Sequence, residues 1–232
     1  MRILAIESSA VTASIAILTD DVLTAEYTVN YKKTHSQTLL PMIDEVCKMT
    51  ETDVDTVDLI AVSAGPGSFT GLRIGAATGK GIALALHKKM AAVPTLKAMA
   101  YNVYGTKSLI CPVMDARRQH LYTGIYRFDD MGNLCEIAEQ GLLSYEELVE
   151  KLNALGEPVI FVGDGIEPAK EVLCAGLTCS YAFAPAHIRT QRASSVALAA
   201  RDMYAKGEIV EAAQLKPDYL RPSQAEREHG NG

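Results

Sequence analysis

The chain has 232 residues, 48% of them hydrophobic, no tryptophan and a formal net charge of -6. That length suits one large domain or two small ones, and the acidic balance argues against an autonomous nucleic-acid binder, which carries a basic excess. Cys47, Cys111, Cys135, Cys174 and Cys179 are odd in number and form no CxxC pair, which fits reduced thiols in a cytosolic protein and not a disulfide framework.

The opening run MRILAIESS brings Glu7 too early for a signal-peptide core. Residues 2–7, 12–18 and 22–29 are β-type runs joined by Ser8-Ser9 and Asp20-Asp21 turns, an antiparallel meander. Residues 34–49 read as a helix with Leu39, Met42, Ile43 and Val46 on one stripe and Leu40 and Cys47 beside it. Pro41 should kink this helix or mark its first turn. Residues 58–64 form a buried strand, after which Gly65-Pro66-Gly67-Ser68 breaks the chain. Ser68 or Thr70 can cap the helix that follows over 69–86. That helix contains Gly71, Gly75, Gly79 and Gly81, at a cost of about 2–4 kcal/mol relative to alanine. Offsetting it requires on the order of 100–150 Å² of extra apolar burial. Gly71, Gly75 and Gly79 share one face with Ala76, Ala83 and the lighter side of Thr78, a groove that another backbone must fill. Arg73 and Lys80 within the span argue against a membrane helix.

The order then repeats. Residues 91–94 form a brief strand and 96–104 a short helix. Residues 109–115 are a strand ending in an acid, as 3–7 were, and 120–128 and 133–139 make a second meander around Asp129-Asp130-Met131-Gly132. Ser144 and Glu147 form a capping box for a helix over 144–155. A strand over 158–162 leads to Gly163-Asp164-Gly165, in the place of Gly65-Pro66-Gly67, and to a helix over 167–174. The last firm helix spans 194–205, and the polar, proline-containing end, 217–232, reads as an extended, partly disordered tail. The order βββαβα thus occurs twice, about 105 residues apart, which predicts a duplicated α/β fold with lobes over 1–105 and 106–232. This layout resembles the actin-like, sugar-kinase and heat-shock ATPase (ASKHA) class, ribonuclease H-like in each lobe. In that class an acid ending the first strand of each lobe, with adjoining turns, holds ATP and magnesium. Function drawn from fold alone is an association.

Glu7 and Asp115 occupy the positions of those acids, and Gly65, Gly67 and Ser68 at a helix N-terminus can cradle a phosphate. The spacing departs from known loops: GPGSFTG is one residue too long for a dinucleotide loop, and GAATGKG is one too short for a P-loop. A tight turn that lets strand and helix pack accounts for the same residues. Ser8-Ser9 follow Glu7, and Ala116-Arg117-Arg118 follow Asp115, where phosphate sites keep a glycine; the two arginines bind an anion, fill the site themselves or form an ion-paired surface turn. Any nucleotide should bind weakly. The histidines form neither HExxH nor HxxxH, no cysteines stand at metal-ligand spacing, and GxSxG is absent.

Five segments (MRILAIESS, HSQTLLPMID, AGPGSFTGLRIGAATGKGIA, MDARRQHLY and PDYLRPSQAE) resemble, in register from residue 1 to about 226, the bacterial TsaB (YeaZ) family. The resemblance implies a catalytically silent paralogue of TsaD, the subunit that transfers threonylcarbamoyl to N6 of adenosine 37 in tRNAs reading codons that begin with A. It also implies work alongside the small ATPase TsaE, contact with tRNA only through these partners, and no cofactor of its own. TsaD carries a metal-binding HxxxH that, aligned on Pro94, falls here on Lys97 and Tyr101, neither of which normally replaces an imidazole. The family pairs through two helices of the first lobe, as homodimers or against TsaD. The residues expected to serve that pairing are His35, Leu39, Met42, Ile43 and Val46, together with Gly71, Arg73, Gly75, Thr78, Gly79 and Ile82. One set would pack within the lobe and the other across the partner, with wholly intramolecular packing as the plain alternative. Two other readings stay open: a two-lobed ATP-dependent phosphotransferase or hydrolase using Glu7, Asp115 and the Gly65 turn, and a glycoprotease-like metallopeptidase.

Overall fold

The computed structural model describes residues 1–220; the part of the expected tail beyond residue 220 lies outside the described residues. Strict alternation organises the first sheet. In β1 (Arg2–Glu7), Ile3 and Ala5 face one apolar layer while Leu4 and Ile6 face another, so the strand is buried on both sides. β2 (Thr12–Thr19) and β3 (Val22–Asn30) complete the antiparallel meander. α1 (His35–Met49) leads to β4 (Leu59–Gly65), which joins β1 in parallel, and α2 (Phe69–Ala85) leads to β5 (Lys89–Pro94). The strand order is β3-β2-β1-β4-β5. Pro41 lies well past the first turn of α1, on its exposed side.

After α3 (Thr95–Ala100) and one 3-10 turn, the second sheet repeats the plan. β6 (Leu109–Asp115), β7 (His120–Phe128) and β8 (Leu134–Ser144) form the meander. Then come α4 (Tyr145–Leu155), β9 (Val159–Val162), α5 (Ile166–Gly176) and β10 (Tyr181–Phe183). The order is β10-β9-β6-β7-β8. Gly65 and Gly163 end β4 and β9 with φ of 124° and 121°, backbone that only glycine adopts freely. The duplication is therefore written into equivalent turns. α6 (Ala186–Arg189) and α7 (Ala193–Ala205) follow.

Two expectations need correction, and one strand is added. β8 runs on to Ser144 because pairing resumes after a bulge: Thr123 faces Gly141 and Ile125 faces Ala138, leaving Glu139 and Gln140 opposite Gly124. β10 had no sequence signal. The chain after residue 106 does not stay in the second lobe, because α7 packs on β1 and β2 of the first sheet. There Glu26 of β3 pairs with Arg192 and accepts the Ser194 N–H at 2.9 Å. Val210 then bridges Met90 in β5, and Leu215 is buried in the first lobe's outer core. The layers are α1/α2, first sheet, α3/α7, second sheet, α4/α5.

Candidate functional site

Glu7 ends β1 and Asp115 ends β6, the strand-end positions at which a two-lobed ATPase would hold its nucleotide. Glu7 has 1% of its surface exposed. Its Oε1 accepts the Ser9 N–H at 2.6 Å, while Ser63 Oγ accepts the Ser8 N–H at 3.2 Å. Burial pushes the Glu7 carboxyl up from its ordinary 4.5 to about 7, against the pull of the Ser9 and Ser63 hydrogen bonds. The unfolded chain loses the Glu7 proton near pH 4.5 while the folded chain keeps it to about 7. Stability is fully present below the lower value, falls across the window and is flat above it. Glu7→Gln is expected to flatten this loss and to raise stability at pH 8 by about 3 kcal/mol at most, read from denaturant midpoints at pH 5 and pH 8.

Asp115 is committed differently. Its carboxylate takes the Arg117 N–H at 2.8 Å and the Arg117 guanidinium at 2.9 Å. The turn that makes this possible holds Arg117, Arg118 and Gln119 at φ of 65°, 56° and 58°, left-handed backbone that costs non-glycine residues roughly 1–2 kcal/mol each. Arg117 is exposed while its guanidinium pairs with Asp115, the ion-paired surface turn among the sequence readings.

The Gly65 turn is also occupied by the chain itself. The Ala64 carbonyl accepts the Asp218 N–H at 2.6 Å, and a Cβ on Gly65 would collide with the Asp218 carbonyl oxygen. Ser68 donates its N–H to the Ser9 carbonyl at 2.6 Å, and its hydroxyl caps α2 by accepting the Gly71 N–H at 3.2 Å. The tight-turn reading thus accounts for Gly65, Gly67 and Ser68.

The glycine face of α2 likewise has its occupant in the same lobe. A Cβ on Gly71 would meet the Ser8 carbonyl, one on Gly75 the Ser8 hydroxyl, and one on Gly79 the side chains of Val62 and Met90. Ser8 donates its hydroxyl to the Gly71 carbonyl at 3.0 Å across this seam. Leu39, Met42, Ile43 and Val46 are buried in the same core. His35 donates from Nε2 to the Ala10 carbonyl at 2.8 Å. Eight of the residues expected at a partner interface therefore hold α1 and α2 within their own lobe. Thr78 and Ile82 are half-buried, and Arg73 is exposed. The outward stripe of α2 is instead Thr70, Arg73, Ala77, Gly81 and Leu84, at the i, i+3/i+4 spacing of one helix face. On α1, Leu40 is exposed.

The two positions that the resemblance aligns with the TsaD imidazoles lie on α3 and just after it. Tyr101 is buried and donates its hydroxyl to Asp202 of α7, and Lys97 is half-buried on α3. Among the described residues, no three His, Cys, Asp or Glu side chains are grouped to hold a metal ion.

This architecture is that of a two-lobed α/β protein of the actin-like ATPase and sugar-kinase class. Component A of (R)-2-hydroxyglutaryl-CoA dehydratase from Acidaminococcus fermentans shares the fold, with a TM-score of 0.51 at 11% identity, covering 92% of this chain and 100% of that one. The profile of the TsaD family, tRNA N6-adenosine threonylcarbamoyltransferase, matches residues 23–229. The tRNA threonylcarbamoyladenosine biosynthesis protein TsaB of Bacillus subtilis (strain 168) is 32% identical over 226 residues, covering 97% of this chain and 96% of that protein. YeaZ from Pseudomonas aeruginosa superposes with a TM-score of 0.80 at 26% identity, covering 94% of this chain and 99% of that one. The chain belongs to the TsaB (YeaZ) family, as its motifs led us to expect.

Proposed function

We propose that this chain is a non-catalytic subunit of the machinery that forms N6-threonylcarbamoyladenosine at adenosine 37 of tRNAs reading codons that begin with A. It binds and activates a TsaD-type catalytic subunit in the cytoplasm, alongside a TsaE-type ATPase, and pairs with itself when that subunit is absent. The reading is supported above all by residues 97 and 101. An ammonium and a hydrogen-bonded phenol stand where the catalytic paralogue has two metal-binding imidazoles, and neither is a ligand of that kind. The acidic balance leaves tRNA contact to the partners. Among the described residues no helix is long and apolar enough to cross a membrane.

The docking face in this reading is the outward side of α1 and α2. Its inner side is fixed by the glycine seam, so the face is rigid before it meets a partner, which lowers the ordering cost of association. Reconstitution with TsaD, TsaE, threonylcarbamoyl-adenylate and tRNA tests the proposal. Omitting this chain is expected to slow product formation by roughly 5–150-fold, the range of an ordinary coupling free energy, and the chain alone is expected to modify nothing. Modification by the chain alone, or an unchanged rate without it, contradicts the reading.

A further inference from the structure

We infer that Arg73 is a preorganised carboxylate receptor on this docking face, held in place by a C-terminal strap, and that the docking partner presents an aspartate or glutamate to it. This rests on the docking reading above and adds the partner's chemistry. Arg73 is exposed on the outward stripe of α2, one turn before Ala77. Its guanidinium carbon lies 3.8 Å above the centre of the Phe69 ring. The Tyr219 ring packs against Phe69, tilted by 39° with centroids 4.7 Å apart, and its hydroxyl accepts from Arg73 Nε at 3.3 Å. Tyr219 is placed in turn by its neighbours. Asp218 donates its N–H to Ala64 and accepts the Gln140 amide at 3.1 Å, and Leu215 is buried. A segment that packs into the first lobe and bonds to the second therefore ends against α2.

The chemistry follows from what this arrangement leaves over. One guanidinium face and Nε are used, while the two terminal nitrogens keep the fork that matches a carboxylate. Among the described residues no carboxylate forms an ion pair with Arg73. An arginine normally loses much rotamer freedom when it pairs; here the stack has already removed it. The complement is an acid on the partner, since a phosphate would belong to the tRNA, against which the net charge of -6 acts.

Binding of the TsaD-type subunit to the full chain at low and high salt tests this, with thermal unfolding as the check on folding. Arg73→Gln is expected to weaken binding about tenfold at low salt and to flatten the salt dependence. Tyr219→Ala, which frees the guanidinium but keeps its charge, is expected to weaken binding about threefold to tenfold with the salt dependence retained. The double variant Glu226→Gln/Glu228→Gln, which removes the acids that the sequence carries after Tyr219, is expected to bind as the unaltered chain does. Wild-type affinity and salt dependence for Arg73→Gln, alongside lost binding for Ala77→Arg, overturn the receptor and leave the docking face standing. Loss of the salt dependence in the double variant overturns it too, because the acid is then the chain's own. If Ala77→Arg also binds normally, the docking reading itself fails.

Discussion

Gly71→Ala and Gly81→Ala are expected to move stability in opposite directions, although both add one methyl group to the same helix. At Gly71 the new methyl meets the Ser8 backbone carbonyl, with the His35 ring 3.1 Å away. A backbone oxygen between two buried elements cannot swing aside as a side-chain tip would. The strand-to-helix distance must open, breaking the Ser8–Gly71 bond with it. The expected loss is about 3 kcal/mol or more, in the range of severe overpacking. At Gly81 nothing lies within 4 Å, so the alanine keeps only its helix preference and should stabilise by about 0.5–1 kcal/mol. Chemical denaturation of the two variants decides it. Equal, small effects at both sites would mean that the seam between α2 and β1 is looser than described.

The second large effect concerns association, not folding. Ala77→Arg places a long cation in the middle of the outward stripe, four residues from Arg73 on one side and from Gly81 on the other. Because Ala77 is exposed, the free protein should unfold within a degree or two of wild type. Burying an unpaired guanidinium beside Arg73 in a tight interface should weaken binding to the TsaD-type subunit by more than about 100-fold, close to 3 kcal/mol. Sedimentation of the mixed subunits at micromolar concentration is sufficient to see it. The same substitution should slow tRNA modification toward the rate seen without the chain, roughly 5–150-fold, at concentrations where the unaltered chain just saturates its partner.

Much of the architecture is written in local pattern. The doubled βββαβα order, the Ser68 cap and the reciprocal Ser144–Glu147 bonds are each carried by a few adjacent residues, so propensity and capping rules reach them. The glycine spacing of α2 announces a close neighbour but not whose. Identifying Ser8, Val62 and Met90 as that neighbour needs the β1–β4–β5 register, which is a long-range fact. The local pattern of β8 stops at Glu139; its continuation depends on pairing with β7 across a bulge at Glu139 and Gln140, which is not a local signal. The strap was invisible for a related reason. Leu215 and Tyr219 are single anchors without periodicity in a polar stretch, and the bonds of Asp218 and Tyr219 reach residues 78 and 146 positions away in sequence. At the cleft, Glu7 and Asp115 were legible as strand-end acids. Their present commitments to Ser9 and Arg117 depend on turn geometry that residue type does not specify.

Thiol labelling tests the docking face most directly. Ala77→Cys puts a reactive group in the centre of the proposed surface, and the native Cys135 and Cys174, both exposed on the second lobe, serve as references in the same sample. Saturating TsaD-type subunit is expected to slow labelling of the introduced thiol at least about tenfold and leave Cys135 and Cys174 at their free rates. Unchanged labelling at position 77 in a formed complex, or protection at Cys135 or Cys174 instead, would put the partner on another face and contradict the docking role assigned to the first-lobe helices.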